Sequence, residues 1–210
     1  MRLSHERVLC FPRLLLDELG SFQGFRSDNG ELIERILVSG KASFIERRKA
    51  EEDPSFKQLI PYVVMVWSDR LLFYVRGKKT EEGRLRSLGS VGVGGHISVT
   101  DHSLFERDIR EVFAAGLRRE VAEEVDVQTE YSERVAGLIN DDSNPVGRVH
   151  LGILVIWKLA KPKVVKRERS ITSLEFLTLE ELRKRRETLE TWSQIVIDAP
   201  FFAWRRKIAD

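Results

Sequence analysis

The chain has 210 residues, 42% hydrophobic and 32% charged, which supplies one packed core and fits one domain with an extension better than two full domains. A formal net charge of +2 gives no electrostatic ground for nucleic acid or an anionic membrane as a partner, and no apolar run approaches the length of a membrane helix. The single cysteine, Cys10, excludes an intrachain disulfide and a cysteine-rich zinc site, and it suits a reducing cytoplasm.

Residues 1–58 read as a mainly helical N-terminal extension and residues 59–210 as the main domain. The start, Met1 to Arg7, is charged and lacks the apolar core of a signal peptide. Helical pieces are expected at Arg13–Leu19, Glu31–Val38 and Phe44–Glu52, the last stopped by Pro54 because the residue before a proline avoids the α region. Tyr62–Trp67 is a dense β-type run, Ser68-Asp69-Arg70 turns it, and Leu71–Arg76 follows as its hairpin partner. A polar loop then leads to Gly83-Arg84-Leu85-Arg86, and Ser90–Ile97 is another β-type run holding the pair Gly94-Gly95. After a charged helix ending near Glu124, Val127–Ile139 reads as strand, Asn140–Pro145 as loop and Val149–Leu159 as a strong strand. Leu174–Leu177 is a short strand, and Thr178-Leu179-Glu180-Glu181 has the pattern of a capping box opening a helix. A last helix is expected over Trp192–Ile197, before Pro200 and the aromatic tail Phe201-Phe202-Ala203-Trp204. Strands on both sides of a central helix suggest an α/β fold with a mixed sheet between helices. The basic runs Lys184-Arg185-Arg186 and Arg205-Arg206-Lys207 read as solvated helix faces.

The chemistry concentrates in Arg119-Glu120-Val121-Ala122-Glu123-Glu124, with Glu111 eight positions before Arg119. Residues three and four apart share a helix face, so Glu120 falls beside Glu123 and Glu124. Such a cluster repels itself unless a cation offsets it, and hard divalent ions such as Mg²⁺ prefer oxygen ligands. Taken alone, the string also fits a solvated acidic face with Arg119 pairing Glu123.

The glycine pair, Glu111 and the Arg119–Glu124 string together resemble the Nudix hydrolase box. That box runs Gly, five residues, Glu, seven residues, Arg-Glu, aliphatic, any, Glu-Glu, any, Gly, aliphatic. Glu111, Arg119, Glu120, Val121, Glu123, Glu124 and Val127 match it in type and spacing. The chain departs from it twice: fifteen residues separate Gly95 from Glu111, an insertion placed around Val99–Arg110, and Asp126 stands where the box has glycine. Aspartate is among the few residues that tolerate the left-handed conformation expected there. Lys57–Tyr62, Arg84-Leu85, Ser90–Ile97 and Gly147–Gly152 also resemble a bacterial subgroup of predicted Nudix phosphoesterases.

The resemblance implies a Nudix-like α/β/α sandwich over roughly residues 59–200, and a cytoplasmic enzyme dependent on Mg²⁺ or Mn²⁺. It implies hydrolysis of a phosphoanhydride in a nucleoside diphosphate linked to another moiety. Glu120, Glu123 and Glu124 would then be metal ligands, joined by the Gly95 carbonyl and by Glu111. Glu120 is also a candidate general base, with Arg119 orienting it. Arg84, Arg86 and His96 are candidate substrate contacts, because an arginine fork suits phosphate oxygens. Asp141, Asp142 and Glu168 are candidates for an acid outside the box. His150, inside an apolar strand, reads as a core residue, as do Trp67, Trp157, Trp192 and Trp204, and Cys10 as a buried thiol. The rival readings are a non-catalytic Nudix-like domain that binds nucleotide or protein, and an isopentenyl diphosphate isomerase. The intact carboxylates argue against the first, and the position of Cys10 in the extension against the second. The small-molecule substrate is unnamed by the sequence, and a homodimer packed through the extension and aromatic tail is left open.

Overall fold

A computed structural model of the chain describes residues 6–77, 88–101 and 108–200. Strands β1 (Arg7–Pro12), β2 (Gly24–Ser27) and β3 (Ser43–Glu46) alternate with helices α1 (Arg13–Glu18), α2 (Glu31–Val38) and α3 (Arg47–Glu52). Next come β4 (Phe56–Trp67), β5 (Arg70–Arg76), β6 (Gly89–Ser90) and β7 (Gly92–Gly94), a 3₁₀ turn at Val99–Asp101, and the long helix α4 (Ile109–Glu124). The chain continues through β8 (Val125–Val127), β9 (Tyr131–Asn140), α5 (Pro145–Arg148) and β10 (His150–Leu159). It closes with β11 (Val164–Lys166), β12 (Ile171–Thr178), α6 (Leu179–Lys184) and α7 (Thr191–Asp198). The expected α/β fold with a mixed sheet is the one found.

The chain divides into two compact units. One holds Met1–Tyr62, Gly94–Glu120 and Val135–Val155; the other holds Val63–Val93, Val121–Arg134 and Ile156–Asp210. In the first, β1 lies antiparallel to β3, with Leu9 opposite Phe44, and to β4, with Cys10 opposite Gln58. β2 pairs antiparallel with the end of β9, placing Phe25 opposite Ile139. The extension is therefore not mainly helical. Its helices fall close to where expected, the third starting at Arg47 rather than Phe44, but a strand precedes each of them. β1 went unseen because Val8, Leu9, Cys10 and Phe11 are all buried, and a continuous apolar run lacks the alternation that marks a half-exposed strand. Cys10 is buried there, and burial pushes its thiol pKa up to about 12, as an inert core residue requires.

The first unit also buries a charge. Lys57 on β4 has no exposed surface, and its ammonium donates to Asp142 (2.9 Å) and to the carbonyls of Gly147 (3.0 Å) and His150 (3.2 Å). Arg13 adds a second cation on Asp142 at 2.6 Å. Burial lowers the Lys57 pKa, with Asp142 acting against the shift. Burial also opposes ionisation of Asp142, but the Arg13 and Lys57 hydrogen bonds outweigh it and hold that carboxyl below its ordinary value.

In the second unit, β12 runs antiparallel to β5, with Leu174 opposite Tyr74, and β8 pairs with β11. The capping box is formed as expected. The Thr178 hydroxyl accepts from the Glu181 amide, and the Glu181 carboxylate accepts from the Thr178 amide. Trp157 is buried and stacks on Tyr131 at 4.0 Å, and its indole donates to Glu133 at 2.8 Å. Among the described residues, no helix is long and apolar enough to cross a membrane.

Candidate active site

The two glycines have distinct steric reasons. A Cβ on Gly94 would stand 2.7 Å from the Pro61 carbonyl oxygen, so the close approach of backbones admits no side chain. A Cβ on Gly95 would instead overlap the Glu120 carboxylate, whose Oε2 lies nearest. The turn after β7 and the middle of α4 thus meet at a glycine and an acid.

Arg119 holds that acid in place. Its Nη1 donates to Glu120 Oε1 at 2.8 Å, and its Nη2 donates to the His96 carbonyl at 2.9 Å. The other face of the guanidinium grips Asp101 bidentately, Nε to Oδ1 at 2.5 Å and Nη2 to Oδ2 at 2.9 Å. Asp101 also accepts the Ser98 backbone N–H at 2.7 Å, and its side chain is 3% exposed. The Asp101 hydrogen bonds are the largest reason that the Arg119 pKa rises above its ordinary value, against the opposing effect of burial. A fork-on-carboxylate pair of this kind fixes direction as well as charge. Gly116, one turn before Glu120, makes the room: a Cβ there would lie 2.7 Å from Asp101 Oδ2 and 2.7 Å from the Ile97 side chain.

Sequence reasoning missed Asp101, although a signal was present. Five residues separate Gly95 from Asp101, an acid at the spacing that the box gives its first glutamate. Seven residues likewise separate Glu111 from Arg119, and the structure places Glu111 in the first turn of α4, exposed. The stretch Val99–Asp101 therefore belongs to the support of Arg119 and Glu120 rather than to an added loop.

Glu123 and Glu124 close the same helix, one exposed and the other buried at 7% exposure. The helix end differs from expectation. Ser68 is the non-glycine residue with positive φ among those described, so Asp126 takes no left-handed cap, and the chain passes directly into β8. The terminal carbonyls find partners elsewhere: that of Glu124 accepts the backbone N–H of Arg167 (2.9 Å) and Glu168 (3.1 Å). Arg167 also donates from its side chain to the Ala122 carbonyl and the Asp126 carboxylate, each at 3.1 Å. This brings Glu168 to the end of α4. Asp141 and Asp142 are used otherwise, Asp141 by Gln23, Ser143 and Asn144, and Asp142 by Arg13 and Lys57.

His96, half-buried, turns its ring to His150, and the two Nε2 atoms lie 3.3 Å apart. His150 is buried, as expected. Arg84, Arg86 and Trp204 lie outside the described residues. Among the described residues, no three His, Cys, Asp or Glu converge closely enough to hold a metal ion.

The carboxylates of α4 are oxygen donors, the type that a hard divalent cation prefers, and the missing side chain of Gly95 gives the Glu120 carboxylate its room. Glu120 and Glu124 are spaced one helical turn apart, and Glu123 shares their face by its i,i+3 spacing.

No protein-family model matches the chain. It is 36% identical over 203 residues to Protein YmaB of Bacillus subtilis (strain 168), covering 92% of this chain and 96% of that one. It is also similar to the crystal structure of Tm1382, described as a Nudix hydrolase candidate, at 37% identity and a TM-score of 0.76 over 91% of this chain and 96% of that one. The NUDIX domain of Shewanella oneidensis NrtR, crystallised with ADP ribose, shares the fold at 14% identity and a TM-score of 0.51, over 71% of this chain and 88% of that domain.

Proposed function

Because this chain belongs to the Nudix hydrolase family, we propose that it hydrolyses a phosphoanhydride in a nucleoside diphosphate linked to another moiety, in the cytoplasm, with Mg²⁺ or Mn²⁺. The ligands in this reading are Glu120, Glu123 and Glu124, with the Gly95 carbonyl beside them. A divalent ion held there would supply charge neutralisation at the diphosphate and lower the pKa of bound water. The observation that carries the reading is the Glu120 carboxylate, set against Gly95 by the guanidinium of Arg119.

The residues divide the work. Arg119 lowers the repulsion among the α4 carboxylates and holds Glu120 by one oxygen, leaving its Oε2 toward the glycine turn. Asp101 keeps Arg119 from swinging toward substrate phosphate, where it would leave Glu120 unoriented. Glu120 and Glu168 are the two candidate proton acceptors for the attacking water. Glu168 fits because its backbone is bonded to the end of α4 while its side chain belongs to no box position. Arg84 and Arg86 are retained as phosphate contacts.

The test is a panel of nucleoside di- and triphosphates, dinucleotide polyphosphates, nucleotide sugars, ADP-ribose and dinucleotide cofactors, assayed for phosphate or nucleotide release with and without metal. Hydrolysis that needs the divalent ion and is lost in Glu124→Gln, with the variant still folded, is the expected result. Full turnover in excess chelator, or in Glu124→Gln, would overturn the assignment.

A further inference from the structure

We propose that the imidazoles of His96 and His150 form a binding site for a borderline divalent cation such as Zn²⁺, separate from the carboxylates of α4. Their Nε2 atoms face each other at 3.3 Å, with the ring planes 63° apart. Two nitrogens each about 2.0–2.1 Å from a tetrahedral ion lie about 3.3–3.4 Å from one another, so the pair already spans the edge of such a site. His150 is preset for the role. Its Nδ1–H donates to the Val146 carbonyl at 2.7 Å, which makes Nε2 the lone-pair nitrogen of the neutral ring. That outer hydrogen bond is also the one that orients a metal-bound histidine.

The backbones carrying both rings are anchored. Lys57 donates to the His150 carbonyl at 3.2 Å, and Arg119 to the His96 carbonyl at 2.9 Å. Both cations stand beside acids, Lys57 by Asp142, which it shares with Arg13, and Arg119 by Asp101 and Glu120. Without an ion, His96 Nε2–H donates to His150 Nε2. With one, that proton moves to His96 Nδ1 and both lone pairs face the cation, so neutral rings release no net proton. Imidazole suits zinc, nickel and copper, whereas carboxylates suit magnesium and manganese, so the two sites sort cations by softness. The pair supplies two ligands, and water or an anion completes the coordination on the side where His96 is half-exposed.

The full chain, with Mg²⁺ in excess to occupy the carboxylates, is titrated with Zn²⁺ by calorimetry and followed by thermal denaturation. One equivalent of zinc should bind and raise Tm. In His96→Ala and His150→Ala the affinity should fall more than about tenfold and the Tm shift should vanish. Glu124→Gln should bind zinc as the wild type does, which separates this site from the proposed hydrolytic one. His96→Asn, a milder change at the half-exposed partner, should lose zinc in the same way if either alanine variant melts abnormally without metal. Equal zinc affinity in the wild type and the histidine variants overturns the site, as does a wild type that binds none. Loss in Glu124→Gln with retention in His96→Ala would place the zinc on the carboxylates and overturn it equally.

Discussion

Replacing Asp101 by alanine tests the arrangement around Arg119 most directly. The substitution removes two charge-assisted hydrogen bonds from Arg119 and one from the Ser98 amide. Arg119 is 32% exposed and rehydrates in part, so each of its bonds is worth roughly 1 kcal/mol rather than the 1.5–3 kcal/mol of a fully buried charged contact. Ser98 is 6% exposed, and its stranded amide adds about 1–2 kcal/mol. The total, about 3 kcal/mol, is below the usual stability of a domain, so Asp101→Ala should fold and melt about 6–12 °C lower. Urea denaturation gives the free energy, with the slope m checking that the unfolded state is unchanged.

The same variant should lose activity beyond its loss of stability. With Asp101 gone, Arg119 no longer points Glu120 at the Gly95 turn, and misplacement of about 1 Å costs roughly a hundredfold in rate. The fall should appear in kcat at a temperature where the variant is fully folded. Asp101→Asn should lie between, since the amide oxygen still accepts one bond while its NH₂ group meets the guanidinium. Glu111→Ala is the control: exposed in the first turn of α4, it should leave the urea midpoint where it was. An Asp101→Ala protein within about 0.5 kcal/mol of wild type, or a larger loss in Glu111→Ala, would falsify the assignment of Asp101 as the partner of Arg119.

Gly116→Ala should destabilise the protein by about 1 kcal/mol in urea, although alanine is the better helix former by about that amount, because its Cβ meets Asp101 and Ile97; a gain in stability would refute this packing. Gly95→Ala should reduce kcat by at least about tenfold with little change in the metal-free melting temperature, since the Glu120 carboxylate can rotate away but only by leaving its place; unchanged turnover would mean that the contact is irrelevant to chemistry. Asp142→Asn should cost about 2 kcal/mol at neutral pH. Because the folded pKa is depressed, that stability is present above the unfolded value near 4 and fades as pH falls through the folded one, so the two proteins should converge in acid; a constant gap down to pH 2 would rule the ion pair out as its source. For Arg84→Ala and Arg86→Ala, the variant that removes a phosphate contact should raise KM about tenfold with kcat near wild type, and a KM within twofold for both would return these residues to the surface.

The box was legible because its parts share one helix. Arg119, Glu120, Glu123 and Glu124 are close in sequence, and helical spacing alone puts the acids on one face. Thr178 and Glu181 were legible for the same reason, a cap being a local structure with a fixed spacing. Long apolar runs, such as β10 and the Tyr62–Trp67 half of β4, also announced themselves, whereas the Phe56–Pro61 half of β4 and the short, buried β1 did not.

What could not be read locally is how charges and helix ends are satisfied. Lys57 looks in sequence like a surface lysine, and only the return of residues 142, 147 and 150 to β4 gives its ammonium three acceptors. The end of α4 looks in sequence as if it needs a left-handed residue at Asp126, yet Arg167 and Glu168, far along the chain, supply the missing donors. Asp101 is the intermediate case. Its spacing from Gly95 was visible, but its distance from Arg119 was wrong for an uninterrupted box, and a spacing argument assumes that the insertion lies on one particular side. A buried carboxylate needs a cation or hydrogen-bond donors, and Arg119 supplies them to one of the two acids: Asp101, 3% exposed, receives its fork, while Glu111 stays in water. The same rule explains why the insertion is tolerated, since it follows the residue that orients the site and leaves Gly95, Asp101, Arg119 and Glu120 in mutual reach.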